Sequence, residues 1–224
     1  MPNASIKSFD DSLMKIVHYQ SFPAMLTFVG EDYDSANHSK MLIVGESFYF
    51  PEDSTLHKDP AKWYSATQVL LNPEEIAYID CRGLLECDWN YGGHKIYREI
   101  NACLAELNLP FHDRPVSNIS FTNAFMRPAT ESGNSFKYCC VEQDVAESVK
   151  VLTDIISILR PDIVIFVSKY AWDTVGWKIK SQVKETAFDF VSHPADPFHW
   201  NDESYEHGRD KFIMLLKKWK EKPS

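Results

Sequence analysis

The stretch MLIVGESFYFPED, residues 41–53, decides the fold. Its first four residues, Met41 to Val44, form a short apolar run, which is typical of a β-strand buried on both faces. Gly45 lets the backbone turn sharply and lets another group approach closely. Because ligands of open α/β sheets bind beyond the carboxyl ends of the strands, the residues after Gly45 are candidates for a functional site. The stretch is also compatible with a tight turn whose aromatic side chains simply fill the core.

Three further strands are predicted along the chain, at 117–122 (SNISFT), 163–167 (IVIFV) and 187–192 (AFDFVS), and the pattern at 22–29 does not distinguish helix from strand. Apolar spacing predicts helices at 10–17, 60–71, 72–78, 94–107, 141–159, 171–180 and, at the carboxyl terminus, 212–219, with loops at 80–93 and 127–135. Strands separated by helices imply right-handed crossovers. We therefore predict an α/β protein, a three-layer α/β/α sandwich around a central, mainly parallel four-stranded sheet.

The composition is that of an ordinary globular protein. The 224 residues suffice for one domain with a sizeable core, and the apolar share is 44%. No apolar run reaches the roughly 20 residues that span a membrane, and the amino terminus lacks the basic and apolar regions of a signal peptide. Five cysteines, an odd number, indicate reduced thiols in a cytoplasmic protein. We expect residues 1–224 to form a single domain. We also expect the protein to be a monomer that does not associate with membranes.

The net charge of −9 argues against a strong electrostatic grip on nucleic acid, because that affinity comes largely from Lys and Arg on phosphates. The segment 209–222 near the carboxyl terminus has a local excess of basic residues, six against two acidic ones. That segment also carries an apolar stripe, which indicates the solvated face of a helix.

Polar residues of distinct types follow the predicted strands. The first strand runs into Gly45-Glu46-Ser47, the second into Asn123 and the last into His193-Pro194. Because the carboxyl ends of parallel strands lie at one edge of a sheet, these residues are expected to line one polar pocket.

Four segments together resemble the motifs of the uracil-DNA glycosylase superfamily, in order and over about residues 40 to 200. GESFYFPED resembles the first motif, which in some branches reads Gly-Glu, five residues, then Glu-Asp. SFTNAFMRP resembles the middle segment, where a strand ends in Asn and Arg-Pro follows. LRPDIVIFVSKYAW is similar to the helix-Pro-strand segment, and SHPADPF to the final His-Pro motif.

This resemblance implies an enzyme of DNA base excision that hydrolyses the bond between a deaminated base and deoxyribose. A base in a duplex is unreachable, so it is flipped into a pocket and read along its Watson–Crick edge. By resemblance, Asn123 pairs with the N3 and O4 edge of uracil, since an amide offers both a donor and an acceptor. His193, as a neutral imidazole, stabilises the negative charge on the leaving base, and losing such a donor typically costs roughly 3 to 4 kcal/mol.

The remaining site residues are also assigned by resemblance. The implied catalytic residues are His193, Glu46 and Ser47. The implied base-binding residues are Asn123, Tyr49, Phe48 and Gly45, where Tyr49 falls at the position that excludes the thymine methyl group in one branch. The aromatic that stacks on the base is left open between Phe48, Trp63 and Tyr64. Pro194 and Phe198 belong to the loop that presses into DNA.

The chain departs from the family pattern at several points. Ser47 stands where the best-known branch has a water-positioning Asp, so that role is left open among Glu46, Glu52 and Asp53. The branch with Gly-Glu often has an iron–sulfur cluster with two cysteines ahead of the first motif, but no cysteine precedes Cys81. We therefore predict no cofactor and no metal.

Two other functions fit the same residues. With Ser47 in place of Asp and Asp196 near the expected phosphate path, the chain is also compatible with a catalytically impaired module that binds a nucleobase or nucleotide. A hydrolase of small nucleosides needs no basic DNA groove and agrees with the negative charge. Taken singly, His193, Asn123 and Glu46 are residues that strand ends, turns and loops use for ordinary hydrogen bonds.

Overall fold

The structure is a computed structural model that describes residues 4–107, 114–130, 134–196, 198–202 and 205–220. Its centre is a mixed sheet whose five strands lie in the order β1-β3-β2-β4-β5. In chain order the strands are β1 Phe28–Val29, β2 Met41–Gly45, β3 Ser120–Asn123, β4 Ile163–Phe166 and β5 Ala187–Phe190.

All neighbouring strands are parallel except β1, which runs antiparallel to β3. The prediction of four strands was therefore wrong by one. Strand β1 has only two residues, both buried, so it is too short to produce a period-two pattern in the sequence. The four predicted strands are present with shifted ends, and a 3₁₀ turn, Pro115–Asn118, occupies the predicted start of β3.

Helices connect the strands. In the described residues they are α1 Ala4–Leu13, α2 Val17–Ser21, α3 Pro60–Ser65, α4 Pro73–Ile79, α5 Cys81–Glu86, α6 Lys95–Ala105, α7 Glu142–Leu159, α8 Lys169–Ala171, α9 Trp177–Gln182 and α10 Arg209–Lys220. None of them is long and apolar enough to cross a membrane.

Several helix predictions need correction. The helix predicted at 10–17 has the wrong bounds, because α1 runs from Ala4 to Leu13 and a turn separates it from α2. The predicted 60–71 helix ends at Ser65, where the backbone becomes extended. The predicted 80–93 loop contains α5, whose N-cap Asp80 accepts a hydrogen bond from Gly83 N at 2.9 Å. A π-helical turn, Trp172–Gly176, interrupts the helix predicted at 171–180. Of the predicted 127–135 loop, residues 131–133 lie outside the described residues.

Local chemistry sets several helix ends as predicted. Asn72 and Glu75 form a capping box at α4, with Asn72 Oδ1 accepting from Glu75 N at 3.0 Å and Asn72 N donating to Glu75 Oε2 at 2.9 Å. Helix α7 ends at Leu159, and its C-cap Arg160 takes the left-handed conformation (φ 48°) immediately before Pro161.

The central position of β2 places the sequence after Gly45 at the middle of the sheet edge. All five residues of β2 are buried, and the strand pairs with β3 on one side and β4 on the other. In the register, Gly45 lies opposite Asn123, and Val44 lies opposite Phe166. The polar residues that follow β2, β3 and β4 therefore emerge side by side.

Candidate functional site

A cavity of about 620 Å³ opens at the carboxyl edge of the sheet. Among its lining residues are six that the sequence had predicted for the site: Glu46, Ser47, Phe48, Tyr49, Asn123 and His193. They come from three separate segments of the chain, so the sheet topology is what brings them together.

Gly45 and Asn123 lie opposite each other at the ends of β2 and β3; Asn123 lines the cavity, whereas Gly45, predicted to bind the base, does not. A Cβ atom on residue 45 would lie 2.2 Å from Asn123 Oδ1, which is far inside van der Waals contact. Glycine is therefore required here by the neighbouring amide. Asn123 is only 4% exposed, yet its side chain makes no hydrogen bond within the described part of the chain. A buried amide without a partner has its donor and acceptor available for a ligand.

Glu46 is an anchor for the surrounding loops. Its Oε1 accepts hydrogen bonds from Ser135 Oγ and Phe136 N, both at 2.7 Å. Its Oε2 accepts a short hydrogen bond from Ser168 Oγ, which follows β4. Three of the roughly four acceptor positions of the carboxylate are thus occupied by the protein. Glu46 joins three segments and retains little capacity to bind a water molecule.

Ser47 differs from Glu46 in having no partner. Its hydroxyl oxygen is buried and makes no hydrogen bond to the described residues. Because buried polar atoms normally have partners, this hydroxyl is a candidate contact for a water molecule or for a ligand in the cavity.

Phe48 and Tyr49 are fixed by the loop that follows β3. Phe48 O accepts a hydrogen bond from Ala129 N at 2.8 Å, and Tyr49 pairs with Ala129 as an isolated bridge. The Tyr49 hydroxyl donates to Asn134 O at 3.2 Å. Burial, reinforced by Glu46 and Cys139, raises the pKa of Tyr49. Tyr49 is therefore uncharged near neutral pH, and its ring is a fixed part of the cavity wall.

His193 follows β5 and is held in one tautomer. Its Nδ1 accepts a hydrogen bond from Ala195 N at 3.2 Å, so the proton of the neutral ring lies on Nε2. Burial lowers the pKa of His193, and Lys95 acts in the same direction, against the opposing effects of Glu46 and Asp196. Near neutral pH the ring is therefore an uncharged Nε2–H donor at the wall of the cavity.

Other predicted residues lie elsewhere. Glu52 and Asp53 are exposed and do not line the cavity. Pro194 is buried beside His193, whereas Phe198 is 78% exposed on the following loop. In that loop Asp196 accepts hydrogen bonds from its own neighbours, including Phe198 N at 2.8 Å.

The alternative stacking aromatics, Trp63 and Tyr64, belong to the scaffold. Trp63 Nε1 donates to Met126 O at 2.9 Å, and Tyr64 OH donates to Asp144 Oδ1 at 2.8 Å. Asp144 also forms a fully buried ion pair with Arg127, at 2.6 Å between its Oδ2 and Arg127 Nη2. Of the three aromatics considered for the base, Phe48 alone lines the cavity.

Sequence reasoning missed the second wall of the cavity, which consists of residues from α4, α5, the loop after α5 and α6. These residues are Ala77, Tyr78, Leu84, Tyr91, Gly93, His94, Ile96 and Tyr97. The apolar stripe of α6 predicted that Tyr97 would be buried. Nothing in the sequence indicated that the segment before α6 folds over the ends of β2 and β3.

Among the described residues, no group of three or more His, Cys, Asp or Glu side chains is placed to hold a metal ion. The sequence matches no protein-family model and has no significant match among curated proteins.

Proposed function

We propose that this chain is a base-excision N-glycosylase that binds a flipped uracil or another deaminated base in DNA and hydrolyses its glycosidic bond. The observation that carries the proposal is the meeting of Asn123 and His193 in one cavity. Asn123 offers a buried amide that has no partner among the described residues, and His193 offers an uncharged ring with its proton on Nε2. These are the two groups that reading and releasing a uracil require.

The base would lie with its Watson–Crick edge against Asn123. The amide NH₂ donates to O4, and the amide oxygen accepts from N3–H. Cytosine carries a donor at position 4 and no proton on N3, so the same orientation of the amide rejects it. Phe48 and Tyr49 supply aromatic surface for the ring.

In the reaction the bond between C1′ and N1 breaks, and the electron pair leaves with the base. The negative charge that develops on O2 is stabilised by the Nε2–H of His193. A water molecule supplies the hydroxyl group that bonds to C1′, and its second proton completes the neutral products. An uncharged imidazole suits this role because its donor is available without titration near pH 7.

The weakest part of the proposed catalyst is water activation. Glu46 has three protein donors on its carboxylate, and the carboxylates of Glu52 and Asp53 are outside the cavity. The Ser47 hydroxyl has no hydrogen-bond partner among the described residues; it can orient a water molecule but is a poor base. This observation favours a second candidate, a nucleobase-binding module of the same architecture with little or no turnover.

We also propose how the helices are arranged around the sheet. Parallel strands joined by helices support a three-layer α/β/α arrangement, because right-handed crossovers place helices on both faces. Binding to DNA, a monomeric state and a cytoplasmic location remain predictions from the sequence.

One set of measurements separates the candidates. The protein is incubated with a uracil-containing single-stranded oligonucleotide and, separately, with deoxyuridine, and free uracil is quantified. Release from the oligonucleotide supports the glycosylase, whereas release from deoxyuridine alone supports a nucleoside hydrolase. Calorimetric binding of uracil without release from either substrate supports the binding module. If the protein neither releases uracil from either substrate nor binds it, all three functions are refuted.

A further inference from the structure

The second wall of the cavity is aromatic and runs from the rim to the core. Tyr91 and His94 are in edge contact, with ring centroids 5.6 Å apart, and the His94 and Tyr97 centroids are 6.2 Å apart. Tyr97 is buried, whereas Tyr91 is 75% exposed. The described residues provide no hydrogen bond to the Tyr91 hydroxyl. Apart from its edge contact with His94, most of the Tyr91 ring is therefore open to solvent at the rim of the cavity.

The cavity is also larger than one base requires. An apolar cavity of about 150 Å³ accommodates benzene, and this cavity is about 620 Å³. A pyrimidine held by Asn123 would fill only the end formed by the strands. The remaining volume, bounded by Tyr91 and by Tyr78 of α4, has room for a second ring.

The segment that carries Tyr91 is held firmly. Arg98 donates hydrogen bonds from Nη1 to Tyr91 O at 2.8 Å and to Trp89 O. Arg114 Nη2 donates to Cys87 O at 2.8 Å. Trp89 has φ 51°, a left-handed conformation that is rare for a bulky residue and is often found at functional sites. The aromatic ring is thus presented on a fixed support, which lowers the entropic cost of stacking.

The charge of the molecule favours stacking over phosphate contacts. A chain of net charge −9 has little capacity to neutralise the phosphates of a duplex. Proteins that bind single strands obtain roughly 1–3 kcal/mol per base from aromatic stacking, which does not depend on the sequence. An exposed tyrosine beside a base-sized pocket provides such a contact.

We propose that Tyr91 is a stacking platform for the base next to the excised one, and that the substrate is single-stranded DNA. This inference rests on the proposed function, since it takes the strand end of the cavity as the base pocket. The ring of Tyr91 makes the stacking contact, and its hydroxyl is dispensable.

The test compares two single-stranded oligonucleotides that contain uracil. One has normal neighbours, and the other has abasic sites on both sides of the uracil. Binding is measured by fluorescence anisotropy and uracil release in single turnover, for the wild type, Tyr91→Ala and Tyr91→Phe. Tyr138→Ala is the matched control, because Tyr138 is 73% exposed and does not line the cavity.

We expect the wild type to bind the abasic-flanked strand about 5- to 150-fold more weakly, the range that one stacked base provides. Tyr91→Ala should lose the same factor on the normal strand and nothing further on the abasic-flanked one. Tyr91→Phe and Tyr138→Ala should behave as the wild type.

The two hypotheses fail in different ways. Uracil release with no effect of Tyr91→Ala or of the neighbouring bases overturns the platform and leaves the glycosylase intact. The expected binding pattern without release supports the platform and overturns the catalytic function. No binding of either strand overturns both.

Discussion

The contact between Gly45 and Asn123 gives the sharpest prediction about the site. In Gly45→Ala the new Cβ would be 2.2 Å from Asn123 Oδ1 and 3.0 Å from Phe121 Cζ. To reach an ordinary separation of ~3.5 Å, the amide oxygen would have to withdraw by more than ~1 Å. Because Asn123 lines the cavity, its amide would have to withdraw into the space that the base edge is proposed to occupy. Overpacking of this kind costs about 1–3 kcal/mol of the free energy of unfolding.

The substitution should also abolish ligand recognition, because the amide would no longer be where the base edge meets it. The measurements are urea-induced unfolding, which gives the free energy of unfolding, and calorimetric binding of uracil. Gly92→Ala is the matched control, since a Cβ there meets nothing within 4 Å. We expect the control to change stability by less than about 1 kcal/mol.

A double-mutant cycle identifies the cause. In an Asn123→Ala background the clash with Oδ1 disappears. The loss in free energy of unfolding caused by Gly45→Ala should therefore be smaller by about 1–2 kcal/mol. If Gly45→Ala costs no more than Gly92→Ala, or costs the same with and without the Asn123 amide, then the argument about this contact is wrong.

Three other predictions concern the scaffold and the cavity wall. Arg127→Met leaves Asp144 as an uncompensated buried charge, so it should cost about 3–5 kcal/mol in urea unfolding, whereas Lys169→Ala, in an exposed pair, should cost less than about 1 kcal/mol. Burial lowers the pKa of His18 to about 4. The folded protein therefore keeps this imidazole uncharged, and its contribution to the free energy of unfolding is complete above the unfolded pKa of about 6.5. That contribution is lost as the pH falls from about 6.5 toward 4, by roughly 2 kcal/mol at pH 5. Ser47→Ala removes a buried hydroxyl without a partner, so it should leave the melting temperature unchanged or raise it while slowing uracil release.

Each of these has a clear contrary result. Equal costs for Arg127→Met and Lys169→Ala would show that the buried ion pair is not needed for stability. A His18→Gln variant with the same loss of stability between pH 6.5 and 4 as the wild type would remove His18 as its cause. Unaltered release by Ser47→Ala would mean that its hydroxyl does not orient the attacking water.

The sequence predicted the parts of the fold that depend on burial and local capping. The apolar run of β2, the apolar stripe of α7 and the helix start at Asn72 are strong signals because they depend on neighbouring residues alone. The short antiparallel strand β1 was not predictable, because two residues set no period and its pairing with β3 is a long-range contact. The π turn Trp172–Gly176 had no sequence signal either.

The same division holds for the candidate site. Residues at strand ends could be predicted to meet because parallel topology brings those ends to one edge. The roles of the carboxylates could not be predicted. The Glu46 carboxylate accepts hydrogen bonds from Ser135, Phe136 and Ser168, which are distant from it in sequence. The position of Tyr91 depends on a loop fixed by arginine contacts to backbone carbonyls, which have no sequence signature.

The central claim is that Asn123 and His193 form a site that reads a base and stabilises its departure. Its most direct test is single-turnover release of uracil from a single-stranded oligonucleotide by the wild type and by His193→Ala, with folding verified for both. We predict release by the wild type and a loss of roughly 100-fold or more in His193→Ala, as expected for the loss of one donor to a developing anion. Equal rates for the two proteins would contradict the claim.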